Sequence, residues 1–272
     1  MTTQAMARLS LENDIRKGLE RGEFRLFYQP QVLAQDGTIV GMEALIRWQH
    51  PERGLVSPAE FIPVAEESGL IVPMGEWVIH TACRQVQDWH QAGVAAPRVA
   101  VNLSARQLRA PEFIGSVAAI IAETGIRADL LELELTESIL MDSELQRIEG
   151  LHQLRALGVH FSIDDFGTGY SSLAYVKRFP IGMLKIDQSF VRGLPHSVND
   201  AGITTAIIAM AHSLELDVIA EGVETREQRA FLKNAQCRKL QGYLFSPPVP
   251  HEKMERLLHQ GCIAPSPQAA AL

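Results

Sequence analysis

The chain has 272 residues, 46% hydrophobic and 21% charged, enough for a sizeable core. A formal net charge of −7 argues against a general DNA or membrane-surface binder. Cys83, Cys237 and Cys262 have no metal-ligand spacing, the N-terminus MTTQAMARLS has no apolar stretch of a signal peptide, and no apolar run approaches the roughly 18 residues of a membrane span. A cytoplasmic, soluble protein is the expectation.

Leu9–Arg21 reads as an amphipathic helix with Leu11, Ile15 and Leu19 on one face, a lead-in element within residues 1–22. Phe24–Gln29 alternates like a strand, and Pro30 is expected to end it. A second strand, Ile39–Trp48, follows the tight-turn dipeptide Asp36-Gly37, so the two should form a hairpin. Ser57-Pro58-Ala59-Glu60 announces a helix running to Ser68-Gly69. Another spans Gly75–Gln91, with Trp77 and Trp89 read as packing residues.

The pattern then repeats. Strands are predicted at Arg98–Leu103, Leu131–Thr136, His160–Asp165, Met183–Ile186, Asp217–Glu221 and Leu240–Phe245. Helices are predicted at Pro111–Thr124, Ser143–Leu157, Ser171–Arg178, Asp200–Leu214, Thr225–Asn234 and His251–Gln260. Eight strands in all, many of them continuous apolar runs, interleave with helices, which points to an α/β barrel in one domain over residues 23–262. The tail 263–272 is expected to be disordered.

Polar residues recur at equivalent places on these strands. Gln29 closes the first and Glu43 lies in the second; Asn102, Glu134 and the pair Asp164-Asp165 end the next three; Lys185, Glu221 and Gln241 follow. In a parallel barrel the carboxyl ends of the strands meet on one face, where reactive sites are built. The five carboxylates Glu43, Glu134, Asp164, Asp165 and Glu221 would repel one another strongly there unless a cation sat among them. An all-oxygen donor set favours Mg²⁺ or Mn²⁺ over zinc, and five acids suit two ions sharing a bridging carboxylate, a recurrent device for hydrolysing phosphodiesters. Lys185 should remain cationic and can orient water or offset charge in the transition state. Arg47 shares the strand face of Glu43 and can hold a phosphate. Gln29 can hydrogen-bond a base or phosphate, or equally the backbone. Gly167-Thr168-Gly169 makes a pliable loop after the acids.

Taken together, an ordered set of motifs resembles the EAL-domain family of cyclic di-GMP phosphodiesterases. It comprises YQPQ (Tyr28–Gln31), EALIRW beginning with Glu43-Ala44-Leu45, AEESGLI (Ala65–Ile71), NLSARQ (Asn102–Gln107), ELTES (Glu134–Ser138), DDFGTGYSSL (Asp164–Leu173), LKID (Leu184–Asp187), AEGVET (Ala220–Thr225) and QGYLFSPP (Gln241–Pro248). The resemblance extends from about Leu9 to Leu258. It implies a modified TIM (β/α)₈ barrel with one antiparallel strand. It further implies that Glu43, Asn102, Glu134 and Asp164 hold one metal, and that Asp165 and Glu221 hold a second with Asp164 bridging. Lys185 then matches a catalytic lysine, so that catalysis rests on Glu43, Asp164, Asp165 and Lys185. Glu137 and Glu224 match acids bracing the loop after the Asp pair, while Gln29, Arg47 and Gln241 match substrate-site positions. The implied reaction opens one phosphodiester of cyclic di-GMP to give linear pGpG. A homodimer formed through the helix after the Asp pair, and an attached sensory or cyclase-like domain, are implied partners. Gly182 and Pro247 depart from the family pattern without touching an implied ligand. Two other readings compete. A cyclic di-GMP receptor or interaction module without catalysis would usually lack some of these acids; an enolase-like barrel would use Lys185 as a base on a carbon acid.

Overall fold

The structure, a computed structural model, describes residues 2–140, 146–169 and 178–265. Helix α1 (Thr2–Glu20) leads into strands β1 (Phe24–Leu33), β2 (Ile39–His50) and the short β3 (Gly54–Val56). Helices α2 (Pro58–Ser68) and α3 (Ile71–Gln91) precede β4 (Arg98–Leu103), α4 (Ala105–Leu108) and α5 (Phe113–Thr124). Then come β5 (Leu131–Thr136), α6 (Glu137–Leu140), α7 (Gln146–Leu157), β6 (His160–Phe166) and β7 (Met183–Ile186). The chain continues through α8 (Gln188–Arg192), α9 (Val198–Ser213), β8 (Asp217–Ala220) and α10 (Arg226–Asn234). It closes with β9 (Lys239–Gln241), β10 (Val249–Pro250) and α11 (His251–Gln260).

Strands β1, β2, β4, β5, β6, β7, β8 and β9 form a closed ring, because β1 pairs with both β2 and β9. Every pairing from β2 round to β9 is parallel, and β1 alone runs against its two neighbours. The expected modified barrel is present, and so is the opening hairpin. At its turn Gly37 takes φ +80° and the Asp36 carboxylate accepts the Thr38 N–H at 3.0 Å.

Pro30 does not end β1, which continues to Leu33. It stands where the strand's other edge passes from β10, at Phe27 and Tyr28, to β9, at Gln31 and beyond, so its missing N–H interrupts no pairing there. The last barrel strand stops at Gln241 instead of reaching Phe245, since the N–H groups of Phe245 and Ser246 both turn back to the Gly242 carbonyl. Ser57 marks the start of α2 through Pro58 at the first position, but its side chain caps nothing; Glu60 pairs with Arg53 at 2.5 Å instead. The helix expected over Ser171–Arg178 lies almost wholly outside the described residues. Ile263, placed in the disordered tail, belongs to the fold: it is buried and its N–H donates to the Gly37 carbonyl at 2.9 Å. Residues 266–272 of that tail are outside the described residues.

Two cores hold the molecule. The larger lines the barrel and its helices; the smaller joins Ile15 of α1 to Phe24, Trp48, Val56, Phe61 and Met74. Trp89 is buried against Tyr28 with ring centroids 5.2 Å apart, a packing residue as expected. Among the described residues no helix is long and apolar enough to cross a membrane.

Candidate functional site

Strand pairing puts the polar residues in register: parallel β4 and β5 set Asn102 beside Glu134, and antiparallel β1 sets Gln29 beside Glu43 and Gln31 beside Gln241. Alternation turns these side chains inward, toward Lys185. The Lys185 ammonium is fully buried and lies 2.5 Å from Glu134, 2.8 Å from Glu221, 3.1 Å from Asp164 and 3.8 Å from Glu43. Strict alternation would send Asp165 away from Asp164. A register shift between Ile163 and Phe166, with Asp165 at φ +53°, instead lets both acids reach the mouth. Carboxylate oxygens of Asp164, Asp165 and Glu221 come within 4.8 Å of one another. All six residues expected to bind metal therefore converge, with Asn102 joined through its 2.6 Å bond to Glu43.

Charge is the dominant tension here. Burial raises the Glu134 carboxyl well above its usual range, Lys185 opposes this, and Glu43, Asp164 and Glu221 add to it. Glu221 is pushed to about 8 by burial, against the pull of Lys185. Asp165 rises to about 6 through burial, then Asp164 and Asp187. Burial works against the Lys185 charge, yet Glu134, Glu221, Glu43 and Asp164 outweigh it and hold the ammonium well above its ordinary value. One ammonium faces four carboxylates, so negative charge remains uncompensated. Glu134 Oε1 is buried without a hydrogen-bond partner among the described residues. An orphaned carboxylate oxygen within an all-oxygen donor set fits a hard divalent cation.

A chain of amides flanks Glu43. Asn102 Nδ2 donates to Oε1 at 2.6 Å, and Gln241 Nε2 donates to Oε2 at 2.5 Å. Gln241 Nε2 also donates to Gln29 Oε1 at 3.0 Å, Gln29 Nε2 to the Ser246 carbonyl at 3.0 Å, and Gln31 Nε2 to Gln241 Oε1 at 3.1 Å. Gln29 thus makes the backbone bond that was one of its two expected fates. Arg47 lines a cavity of about 300 Å³ together with Leu45, Ile62, Met74, Asn102 and Thr136. Its guanidinium lies 5.7 Å from the Phe27 ring centroid; burial lowers its pKa, while Tyr243 and Glu43 act the other way.

Glu137 Oε2 accepts the N–H of Gly167 at 3.0 Å and of Gly169 at 3.4 Å, at the start of the loop after the acids. Glu224 is exposed, and its backbone N–H donates to Gln228 Oε1 at 2.8 Å. Most of the loop it was expected to brace lies outside the described residues. Asp187, which the strand-end pattern does not single out, caps α8 through the Ser189 N–H at 3.0 Å and stands beside Asp165. Its signal was the last letter of LKID. Gln31, the last letter of YQPQ, is likewise a neighbour of the site that strand periodicity does not single out.

The sequence model of the EAL domain matches residues 12–248. The bifunctional diguanylate cyclase/cyclic di-GMP phosphodiesterase MucR of Pseudomonas aeruginosa is 46% identical over 254 residues, 93% of this chain and 37% of that protein. The cyclic di-GMP phosphodiesterase PdeR of Escherichia coli is 42% identical over 256 residues, 94% of this chain and 38% of that protein. The chain thus spans less than two fifths of either relative. Among solved structures, the MucR phosphodiesterase in complex with c-di-GMP matches with a TM-score of 0.86 at 46% identity, covering 90% of this chain and 99% of that one.

Proposed function

Because the chain belongs to the EAL domain family, we propose that it hydrolyses one phosphodiester bond of cyclic di-GMP to give linear pGpG. The observation that carries this reading is the excess of carboxylates around Lys185, with an oxygen of Glu134 left unpartnered. Two divalent cations, Mg²⁺ or Mn²⁺, supply an activated water and positive charge at the scissile phosphate when bound. Glu43, Asn102, Glu134 and Asp164 would hold one, and Asp164, Asp165 and Glu221 the other. Asn102 gives its Nδ2 to Glu43 and keeps its carbonyl oxygen for a ligand.

Lys185 keeps its proton among these acids, orients the attacking water and offsets charge as the phosphate becomes five-coordinate. Arg47, at the cavity beside Asn102, takes a substrate phosphate oxygen, and Leu45, Ile62 and Met74 offer an apolar wall to a base. Gln29 and Gln241 border the substrate and orient Glu43. Glu137 steadies the glycine loop, with Glu224 as a second brace. The proposal extends to a cytoplasmic homodimer that works with a sensory or cyclase-like domain, in line with the greater length of relatives such as MucR. Purified protein with Mn²⁺ or Mg²⁺ should convert cyclic di-GMP to pGpG, EDTA should abolish turnover, and Glu43→Ala and Asp164→Ala should each lose it. Ligand bound but no product at micromolar enzyme would replace the hydrolase with a receptor.

A further inference from the structure

We propose that Gln31 is a positioning residue for Glu43, acting through the amide of Gln241; this rests on the metal-dependent reading above. Gln31 is buried in β1, cross-strand from Gly41 on one side and from Gln241 on the other. The orientation of every amide in the chain follows from its two ends, which can only accept. The Ser246 carbonyl requires the NH₂ of Gln29, so Gln29 turns its oxygen to Gln241. The Glu43 carboxylate likewise requires the NH₂ of Gln241. Both hydrogens of that group are then committed, and Gln241 Oε1, on a buried side chain, needs a donor. Gln31 Nε2, at 3.1 Å, is that donor.

Room for it comes from the neighbouring strand. A Cβ on Gly41 would collide with Gln31 Oε1, so the side chain lies over a glycine backbone that leaves it space. With Gln31 in place, amide donors hold both oxygens of Glu43, Asn102 on Oε1 and Gln241 on Oε2. Without it, Gln241 carries a buried carbonyl lacking a donor. That amide can recover a partner only by rotating, which releases Glu43. Outer partners of this kind change metal affinity by about 10- to 100-fold.

The test is calorimetric titration of the substrate-free protein with Mn²⁺, together with steady-state turnover of cyclic di-GMP. Gln31→Met keeps the volume and removes the donor. It should melt close to the parent, bind Mn²⁺ about 10-fold more weakly, and regain its kcat when Mn²⁺ is raised in proportion. Gly41→Ala should weaken Mn²⁺ binding in the parent and have no further effect in a Gln31→Ala background. A folded Gln31→Met with unchanged Mn²⁺ affinity, a loss of turnover that saturating Mn²⁺ leaves in place, or a Gly41→Ala effect of equal size in both backgrounds would overturn the proposal. A parent that binds Mn²⁺ without cleaving cyclic di-GMP refutes the enzymatic reading alone, and the affinities still decide the part played by Gln31. A parent that binds no Mn²⁺ overturns both.

Discussion

Lys185 occupies the point where four carboxylates converge, and its own charge is what lets them pack so closely. Removing one partner of a buried ion pair typically costs about 3–5 kcal/mol, because the other is left uncompensated. Lys185→Met should therefore lower the melting temperature of the metal-free protein, and Mn²⁺ should restore more of it than in the parent. At saturating Mn²⁺ turnover should still fall by about 100-fold or more, which separates the chemical role from charge balance. Thermal denaturation with and without Mn²⁺, alongside the pGpG assay, checks both halves. At this scale the acids that meet at the barrel mouth were legible from their places on successive strands, the pair Asp164-Asp165 included. How both members of that pair reach the mouth was not: it depends on a register shift created by pairing with β7, which alternation along one strand cannot reveal.

The strands also have a second end. There Arg98 of β4 reaches Glu132 of β5 at 3.1 Å and His160 Nε2 of β6 at 3.0 Å, while Arg155 of α7 lies 2.9 Å from His160 Nδ1. A neutral imidazole accepts at only one ring nitrogen, and a protonated ring would face two guanidinium groups. Burial, then Arg98 and Arg155, lower the His160 pKa from 6.5 to about 4, with Asp129 acting the other way. Within that window the unfolded chain binds one more proton than the folded one, so stability falls as pH drops. His160→Asn should lose less stability than the parent between about pH 7 and about pH 4.5, measured by urea denaturation. Sequence alone showed His160 only as the polar face of a strand; its partners come from another strand and a helix. Pro30 teaches the same lesson, since what permits it inside β1 is the change of neighbour along that strand's edge.

At the scale of the molecule, the lead-in helix is fastened to the barrel by the smaller core. Ile15 is fully buried there, Phe24 stacks on Trp48 at 5.3 Å, and Trp48 Nε1 donates to Glu23 at 3.0 Å. The same core contains Phe61 and Met74, and α2 and α3 also supply Ile62 and Met74 to the cavity beside Arg47. Ile15→Ala should cost about 2–4 kcal/mol in urea denaturation. It should also raise the KM for cyclic di-GMP more than it lowers kcat, because the cavity wall loosens while the acids stay on their strands.

What the sequence by itself determined is the order of elements, the eight strand positions and the acids at their ends. Periodicity and turn chemistry are local properties, and a repeated strand-end pattern carries its own geometry once the barrel closes. Only the tertiary structure decided how β1 lies between β2 and β9, and with it the amide chain from Gln31 through Gln241 to Glu43. Gln31 and Gln241 are some two hundred residues apart in sequence, and although Gln241 stands out by its place on the last strand, nothing local joins it to Gln31. Their bond exists because the last barrel strand pairs with the first.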